Sequence, residues 1–69
     1  MPEFESNVKQ YREQAGLAQE ALARKLDVSR QSIANIERGL SEPRVLLAIG
    51  IAIALGVAVG DLFRRAPTP

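Results

Sequence analysis

The chain lacks cysteine and histidine altogether. Without cysteine it has no disulfide and no thiol nucleophile, and without histidine it lacks the commonest general base and metal ligand. Zinc-finger spacings are excluded for the same reason. No pair of catalytic groups stands at a useful spacing elsewhere in the sequence. We therefore expect no metal site, no cofactor and no enzymatic activity.

Aromatic residues are scarce, since Phe4, Tyr11 and Phe63 are the only ones. Hydrophobic residues nevertheless make up 46% of the chain, so its core must be aliphatic, built from Leu, Ile, Val and Ala. Such a composition favours packed helices, and 69 residues suffice for one small core. The sequence therefore predicts a single all-α domain over residues 1–65, followed by a flexible tail at 66–69.

No excess of one charge marks the chain, because nine Lys and Arg stand against eight Asp and Glu. The net charge of +1 therefore identifies neither a nucleic-acid nor a membrane partner. The first ten residues carry acidic groups where a secretory signal would carry basic ones before an apolar run. We expect no targeting peptide and a cytoplasmic protein.

One long apolar run, VLLAIGIAIALGVAVG, occupies residues 45–60. A membrane-spanning helix needs about 20 consecutive apolar residues, and this run is shorter and is interrupted by Gly50, Gly56 and Gly60. We therefore predict no membrane segment. The run is instead expected to form a helix that Gly56 ends, and then a short last helix ending near Arg64.

Apolar residues near the N-terminus recur at helical spacing: Phe4, Val8, Tyr11 and Ala15. This stripe predicts a first helix that ends at Gly16. Pro2, Glu3 and Glu5 suit its first turn, because proline lacks an amide that would be unpaired there and carboxylates favour the positive end of the helix dipole. Ser6 is the alternative N-cap.

Two short helices with a tight turn between them are predicted next. The first covers 19–26 and buries Leu22, Ala23 and Leu26. Asp27 tolerates a left-handed backbone and Ser29 is a good N-cap, so the turn lies there. The next helix covers about 30–38, with Ile33 and Ile36 facing inward and Gly39 ending it. Pro43 stands near the start of the fourth helix.

The stretch QEALARKLDVSRQSIANIER, residues 19–38, resembles the helix-turn-helix of the phage Cro and repressor-type (XRE-like) family of regulators. YREQAGL before it and ALGVAVGDLF after it match that family's first helix and the entry to its fifth. The resemblance covers about residues 8–63. It implies a five-helix domain that places the helix at about 30–38 in the major groove of double-stranded DNA.

Four residues depart from the family's usual pattern. Asp27 stands where glycine is usual, and Ala18 and Ala58 stand where Ser or Thr usually caps a helix. Glu42 lies in the loop that offers basic groups to phosphate in many relatives. We expect slight backbone strain in the turn at Asp27 and weaker N-caps at Ala18 and Ala58. We also expect Glu42 not to attract phosphate.

The resemblance also assigns DNA-contacting positions. Residues placed to read base edges are Arg30, Gln31, Ser32 and Asn35, and their side chains suit the task because Arg pairs with guanine and Gln or Asn with adenine. Arg30 and Ser32 could alternatively contact phosphate instead of a base edge. The residues placed to contact phosphate are Gln19, Arg38 and Arg44. Alternatively, the two arginines only keep the surface soluble. On composition alone, all of these would be ordinary solvated residues.

In many relatives the positions of Arg12 and Glu37 form an ion pair between the first helix and the recognition helix. Such a pair would lock the recognition helix in place, because an arginine fork donates two parallel hydrogen bonds to a carboxylate. The alternative is two independent surface charges.

The fourth helix carries apolar residues on every side. A helical projection assigns Val45, Ala48, Ile51, Ala52 and Leu55 to the core. Leu46, Gly50 and Ile53 then point outward, where relatives commonly carry polar residues. A helix that is apolar all round must be covered all round, so we predict a homodimer that meets at Leu46, Gly50, Ile53, Val57 and Val59.

These expectations combine into one functional hypothesis. We expect the chain to be a homodimeric, sequence-specific DNA-binding transcriptional regulator that reads a palindromic operator, with no small-molecule ligand domain attached. The choice between repression and activation stays open. The alternative is a protein-interaction module, such as an antitoxin, whose apolar fourth-helix face binds a different protein.

Overall fold

The structure, a computed structural model, describes residues 4–66. Within these residues, five helices and two short strands follow one another in the order β1, α1 to α5, β2. Their bounds are Phe4–Ser6 (β1), Val8–Gln14 (α1), Gln19–Lys25 (α2), Arg30–Glu37 (α3), Val45–Leu55 (α4), Val59–Leu62 (α5) and Phe63–Arg65 (β2). The five predicted helices are therefore present, while residues 67–69 of the predicted tail lie outside the described residues.

The all-α prediction needs correction, because β1 and β2 form a two-stranded antiparallel sheet. Phe4 pairs with Arg65 and Ser6 with Phe63. The rings of Phe4 and Phe63, diagonal neighbours across this sheet, lie 6.2 Å apart in an edge-on arrangement. Phe4 therefore belongs to a strand and not to the first helix, and the last helix ends before Arg64.

The first helix is shorter than predicted. It begins at Val8, and Asn7 occupies the N-cap position without a capping side-chain hydrogen bond; the Ser6 hydroxyl accepts weakly from the Val8 amide at 3.4 Å. Val8 is buried, whereas Ala15, predicted on the inner stripe, is exposed. Gly16 adopts a φ of 72°, which glycine tolerates without strain, and the helix ends before it. Pro2 and Glu3 lie outside the described residues.

The turn between α2 and α3 forms as its sequence predicts. Asp27 has a φ of 56°, in the left-handed region. The amide of Val28 donates to the carbonyl of Ala23 at 3.0 Å and that of Asp27 to Arg24 at 3.3 Å, which is the pattern of a Schellman cap. The Ser29 hydroxyl then accepts from the Ser32 amide at 3.0 Å and starts α3.

Side chains from α1 to α4 form the core, and Leu62 of α5 is buried with them. Its fully buried large side chains are Val8, Leu22, Ile33, Ile51 and Leu62. Ala23 and Ala52 are also buried, and their small side chains allow neighbouring helices to approach closely. No aromatic side chain is among the buried residues of the described range, which agrees with the predicted aliphatic core.

The fourth helix ends where Gly56 takes a φ of 71°. Ala48, Ile51 and Ala52 face the core as predicted, but Val45 is 74% exposed, so its assignment to the core is wrong. Within residues 4–66, no helix has the length and apolar character needed to cross a membrane.

Candidate nucleic-acid interface

Helix α3 presents a polar face to solvent because its opposite, apolar side is buried in the core. Ile33 and Ile36, at 0% and 2% exposure, fix that inner side in the core. Arg30 and Gln31 are exposed in the first turn, directly after the Ser29 cap. The first turn of α3 is therefore accessible at the surface, while the opposite side of the helix is fixed in the core.

The two amide side chains predicted to read bases form a hydrogen bond with each other. Gln31 Nε2 donates to Asn35 Oδ1 at 2.9 Å, one helical turn apart. Gln31 is exposed and Asn35 is half-buried. This hydrogen bond links the side chains of the first and second turns of α3 at the surface.

Ser32, the fourth predicted base-reading residue, takes part in the helix cap. Ser29 Oγ donates to Ser32 Oγ at 3.0 Å while it accepts from the Ser32 amide. The hydroxyl of Ser32 is half-buried and keeps its own O–H for a further acceptor. Its position is thus fixed by the start of α3.

Arg12 and Glu37 form a buried ion pair that joins α1 to α3. Arg12 Nε lies 2.6 Å from Glu37 Oε2, and Arg12 Nη2 donates to Oε1 at 3.2 Å. Their side chains are only 9% and 3% exposed. Arg12 Nη1 donates to the carbonyl of Leu17 at 2.8 Å, so the guanidinium also holds the loop that precedes α2.

The hydrogen bond with Glu37 raises the pKa of Arg12, and the negative charges of Glu37 and Glu13 act in the same direction; desolvation by burial opposes them. The arginine is therefore charged at every pH at which the protein would be handled. Its fork meets the carboxylate with two parallel donors, the geometry that fixes orientation as well as distance.

The same carboxylate positions Gln19, the first residue of α2. Gln19 Nε2 donates to Glu37 Oε1 at 3.0 Å, and Arg30 Nη1 lies 3.5 Å from Gln19 Oε1. The N-terminal turns of α2 and α3 are linked through these side chains. The second N–H of the Gln19 amide makes no hydrogen bond among the described residues and lies at the start of α2.

Arg38 and Arg44 are both exposed, at the two ends of the loop between α3 and α4. Arg44 occupies the N-cap position of α4, which has no side-chain cap and no acidic residue in its first turn. That helix start therefore carries an uncompensated positive end beside a cationic side chain. Glu42 is exposed in the same loop.

A second surface, which we call the apolar face, consists of the exposed residues of α4: Val45, Leu46, Ile49 and Ile53. Leu46 is 82% exposed, Ile53 76% and Ile49 41%. Val59, at the start of α5, is 38% exposed. An open groove beside it is lined by Phe4, Ala48, Ile49, Val59 and Phe63, among others.

Two predicted members of this face are placed elsewhere by the structure. A β-carbon at Gly50 would lie 3.0 Å from Leu26 Cδ2, so Gly50 faces the C-cap residue of α2, and its lack of a side chain leaves room for Leu26. Val57 is half-buried and packs against the core. Val45 and Ile49, which the sequence reasoning did not assign to this face, belong to it instead.

Asp61 is a further residue that the sequence reasoning missed. Its Oδ2 accepts from the amide of Ala58 at 3.1 Å, which supplies a hydrogen bond at the start of α5 where Ala58 has no capping side chain. The signal was available, because an acidic residue three positions after an N-cap is one half of a capping box.

Comparison with known proteins gives the same family from sequence and from structure. A family profile described as helix-turn-helix matches residues 8–62. An uncharacterized HTH-type transcriptional regulator of Methanocaldococcus jannaschii is 46% identical over 60 residues, which cover 87% of this chain and 91% of that protein.

Two crystal structures have a closely similar fold. One is the clp gene regulator ClgR of Corynebacterium glutamicum, with a TM-score of 0.74 and 30% identity over 78% of this chain; the chain spans 57% of the ClgR chain. The other is SinR, the master regulator for biofilm formation, in complex with DNA, with a TM-score of 0.70 and 31% identity. That match covers 77% of this chain and 86% of the SinR chain.

Proposed function

Because the chain belongs to the Cro/repressor-type helix-turn-helix family of transcriptional regulators, which are not enzymes, we propose that it binds a specific DNA operator as a homodimer. The observation that carries this proposal is the rigidly held α3, whose outer face is polar and whose inner face is fixed by Ile33, Ile36 and the Arg12–Glu37 pair. Such a regulator acts in the cytoplasm, where its operator lies.

Sequence would be read by the outer face of α3 in the major groove. Gln31 and Asn35 offer amide donors and acceptors, and Arg30 offers a guanidinium that suits guanine. Ser32 lies close enough to the helix start to meet either a base edge or a phosphate. Each good bidentate pair discriminates against a wrong base by roughly 1–3 kcal/mol.

Phosphate contacts would hold this helix in register. Gln19 lies at the start of α2 with one amide hydrogen uncommitted, and Arg44 lies at the uncapped start of α4. Arg38 follows α3 directly. These contacts carry no sequence information, and the two arginines make binding sensitive to salt because a cationic side chain that neutralises a phosphate releases counterions from DNA.

A second copy of the chain would cover the apolar face. Burying an aliphatic side chain of this size contributes roughly 1.5–3 kcal/mol, and the four residues of the face occur twice across a twofold axis. Their sum is of the same order as the roughly 4–15 kcal/mol that docking costs. A symmetric dimer reads two half-sites about 34 Å apart, which gives the operator its palindromic form.

Replacement of Gln31 and Asn35 together by alanine tests the proposed function. The double variant is expected to fold and to retain weak, salt-sensitive binding to any DNA, while its preference for the operator disappears. Unchanged operator preference would overturn the assignment of Gln31 and Asn35 as base-reading residues. Circular dichroism of the double variant provides the control for folding.

A further inference from the structure

The groove beside the apolar face has an acidic residue on one wall and a basic residue on the other. The first wall is the start of α4 with the loop before it, where Glu42 is exposed beside Pro43. The second wall is the two-stranded sheet with the start of α5, where Arg65 is exposed near Phe63. Within residues 4–66, neither Glu42 nor Arg65 belongs to an ion pair. Both charges are therefore available to a second molecule that covers the groove.

Arg65 is the arginine that shares the aromatic side of the sheet. Paired residues of an antiparallel sheet project to the same side, so Arg65 lies on the side of Phe4, which lines the groove. Arg64 also borders the groove, but its partner across the sheet is Glu5, an opposite charge. No acidic residue stands opposite Arg65 in the sheet.

We propose that these two charges select a second copy of this chain as the molecule that covers the groove, with Glu42 of each copy paired to Arg65 of the other. This inference rests on the homodimer of the proposed function. It also gives a role to Glu42, which is unsuited to contact phosphate because it carries the same sign of charge.

Twofold symmetry decides which residues meet, because the axis lies in the plane of contact between the copies. If the axis runs along the groove, the apolar face of each copy enters the groove of the other. Glu42, three residues before Val45 of that face, then approaches Arg65 of the second copy. If the axis runs across the groove, each wall meets the same wall of the other copy, and Glu42 approaches Glu42. Charge complementarity favours the first arrangement and opposes the second.

The apolar and charged parts of this contact have different roles. Aliphatic side chains supply affinity without direction, since the hydrophobic effect depends on area and not on orientation. The charged residues supply the choice of partner, because a surface without the matching charges leaves Glu42 or Arg65 unpaired or beside a like charge. Exposed ion pairs add little affinity, so removing one charge should change association much less than reversing it.

Two charge reversals, Glu42→Lys and Arg65→Glu, test this pairing in the absence of DNA. Each variant by itself places like charges at both symmetric contacts. In an equimolar mixture, one chain with Glu42→Lys and one with Arg65→Glu form a heterodimer in which both contacts again join opposite charges. Sedimentation equilibrium of the full chains measures the association of each variant and of the mixture. Circular dichroism of each variant is the control for folding.

The mixture separates pairing between copies from two other effects. Pairing within one chain is not restored by mixing, because each chain keeps its own reversal. A general attraction between chains of different net charge is measured with a mixture of Glu20→Lys and Lys9→Glu. These variants make the same two changes of charge at exposed positions of α2 and α1 that do not line the groove. They are expected to associate like the wild-type protein, both alone and mixed.

We expect each reversal to raise the dissociation constant of the dimer by at least about tenfold, and the mixture to return it to within about threefold of the wild-type value. Reversals that leave the constant unchanged, or a mixture that associates no better than its components, would overturn the pairing while leaving the homodimer in place. A wild-type chain that is monomeric at every concentration tested would overturn the homodimer of the proposed function and the pairing with it.

Discussion

The guanidinium of Arg12 and the carboxylate of Glu37 are joined by hydrogen bonds of 2.6 and 3.2 Å between α1 and α3. The pair is almost fully buried, and Glu37 also accepts from Gln19 at 3.0 Å. One carboxylate therefore sets α3 relative to α1 and also positions the Gln19 side chain at the start of α2.

Arg12→Ala is expected to destabilise the protein by about 3 kcal/mol or more, because it leaves the Glu37 carboxylate buried without its cation. Urea unfolding measures this change. A double variant with Arg12→Met and Glu37→Leu serves as the control, since it removes both charges and should recover most of the loss. A loss below about 1 kcal/mol in the single variant would show that the pair is solvated in solution.

Asp61→Ala is expected to lower stability by about 1 kcal/mol, because the amide of Ala58 at the start of α5 loses its acceptor. Ala58→Ser should raise stability by a similar amount, since it adds the hydroxyl cap that α5 lacks. Urea unfolding of both variants is the measurement. Glu42→Ala, which removes an exposed carboxylate from a loop, is the matched control and should change little. Equal stabilities of Asp61→Ala and the control would contradict the capping role.

The helix-turn-helix unit and the helix ends could be predicted from the sequence because their signals are local. Asp27, Ser29, Gly39 and Gly56 each act on the backbone of their own turn, and all four mark a boundary that the structure contains. The ends of the chain carried no such signal. The strand at Phe4 exists only because Phe63 lies beside it, and pairing over that sequence distance leaves no local periodicity.

The orientation of α4 was only partly predictable for a different reason. Its residues are all apolar, so no contrast between a polar and an apolar side fixes the rotation of the helix. Val45 was consequently assigned to the core and Gly50 to the outside, and the structure reverses both. The sequence likewise does not predict the side-chain hydrogen bonds between Gln31 and Asn35 and between Gln19 and Glu37. A sequence pattern predicts the face on which a residue lies, and not the hydrogen bonds that it forms there.

Ile53→Glu is expected to give a folded monomer that binds the operator more weakly than the wild-type protein. Ile53 is 76% exposed in the single chain, so the charge costs little in the subunit itself and opposes burial by a second copy. Sedimentation equilibrium measures the association state. Gln10→Glu adds the same charge on the exposed side of α1 and should leave the dimer intact. If Ile53→Glu remains dimeric, the subunits meet at another surface.

Arg44→Ala is expected to weaken DNA binding by a similar factor for every sequence and to reduce the slope of log affinity against log salt by about 0.9. The reason is that the variant would lose the phosphate contact that we propose for Arg44, which occupies the N-cap position of α4. Titration at several salt concentrations provides the slope. Arg24→Ala is the matched control, because Arg24 carries the same charge on α2 beside Glu20. A slope equal to that of the wild-type protein would remove Arg44 from the phosphate contacts.

Selection of bound sequences from a random pool of double-stranded DNA tests the central claim most directly. The account predicts a defined motif with two inverted half-sites, centred about one helical turn apart or a multiple of it, because two copies of α3 enter successive major grooves. A single unrepeated half-site would contradict the dimer. Recovery of no preferred sequence at all would contradict the assignment of this chain as a sequence-specific regulator.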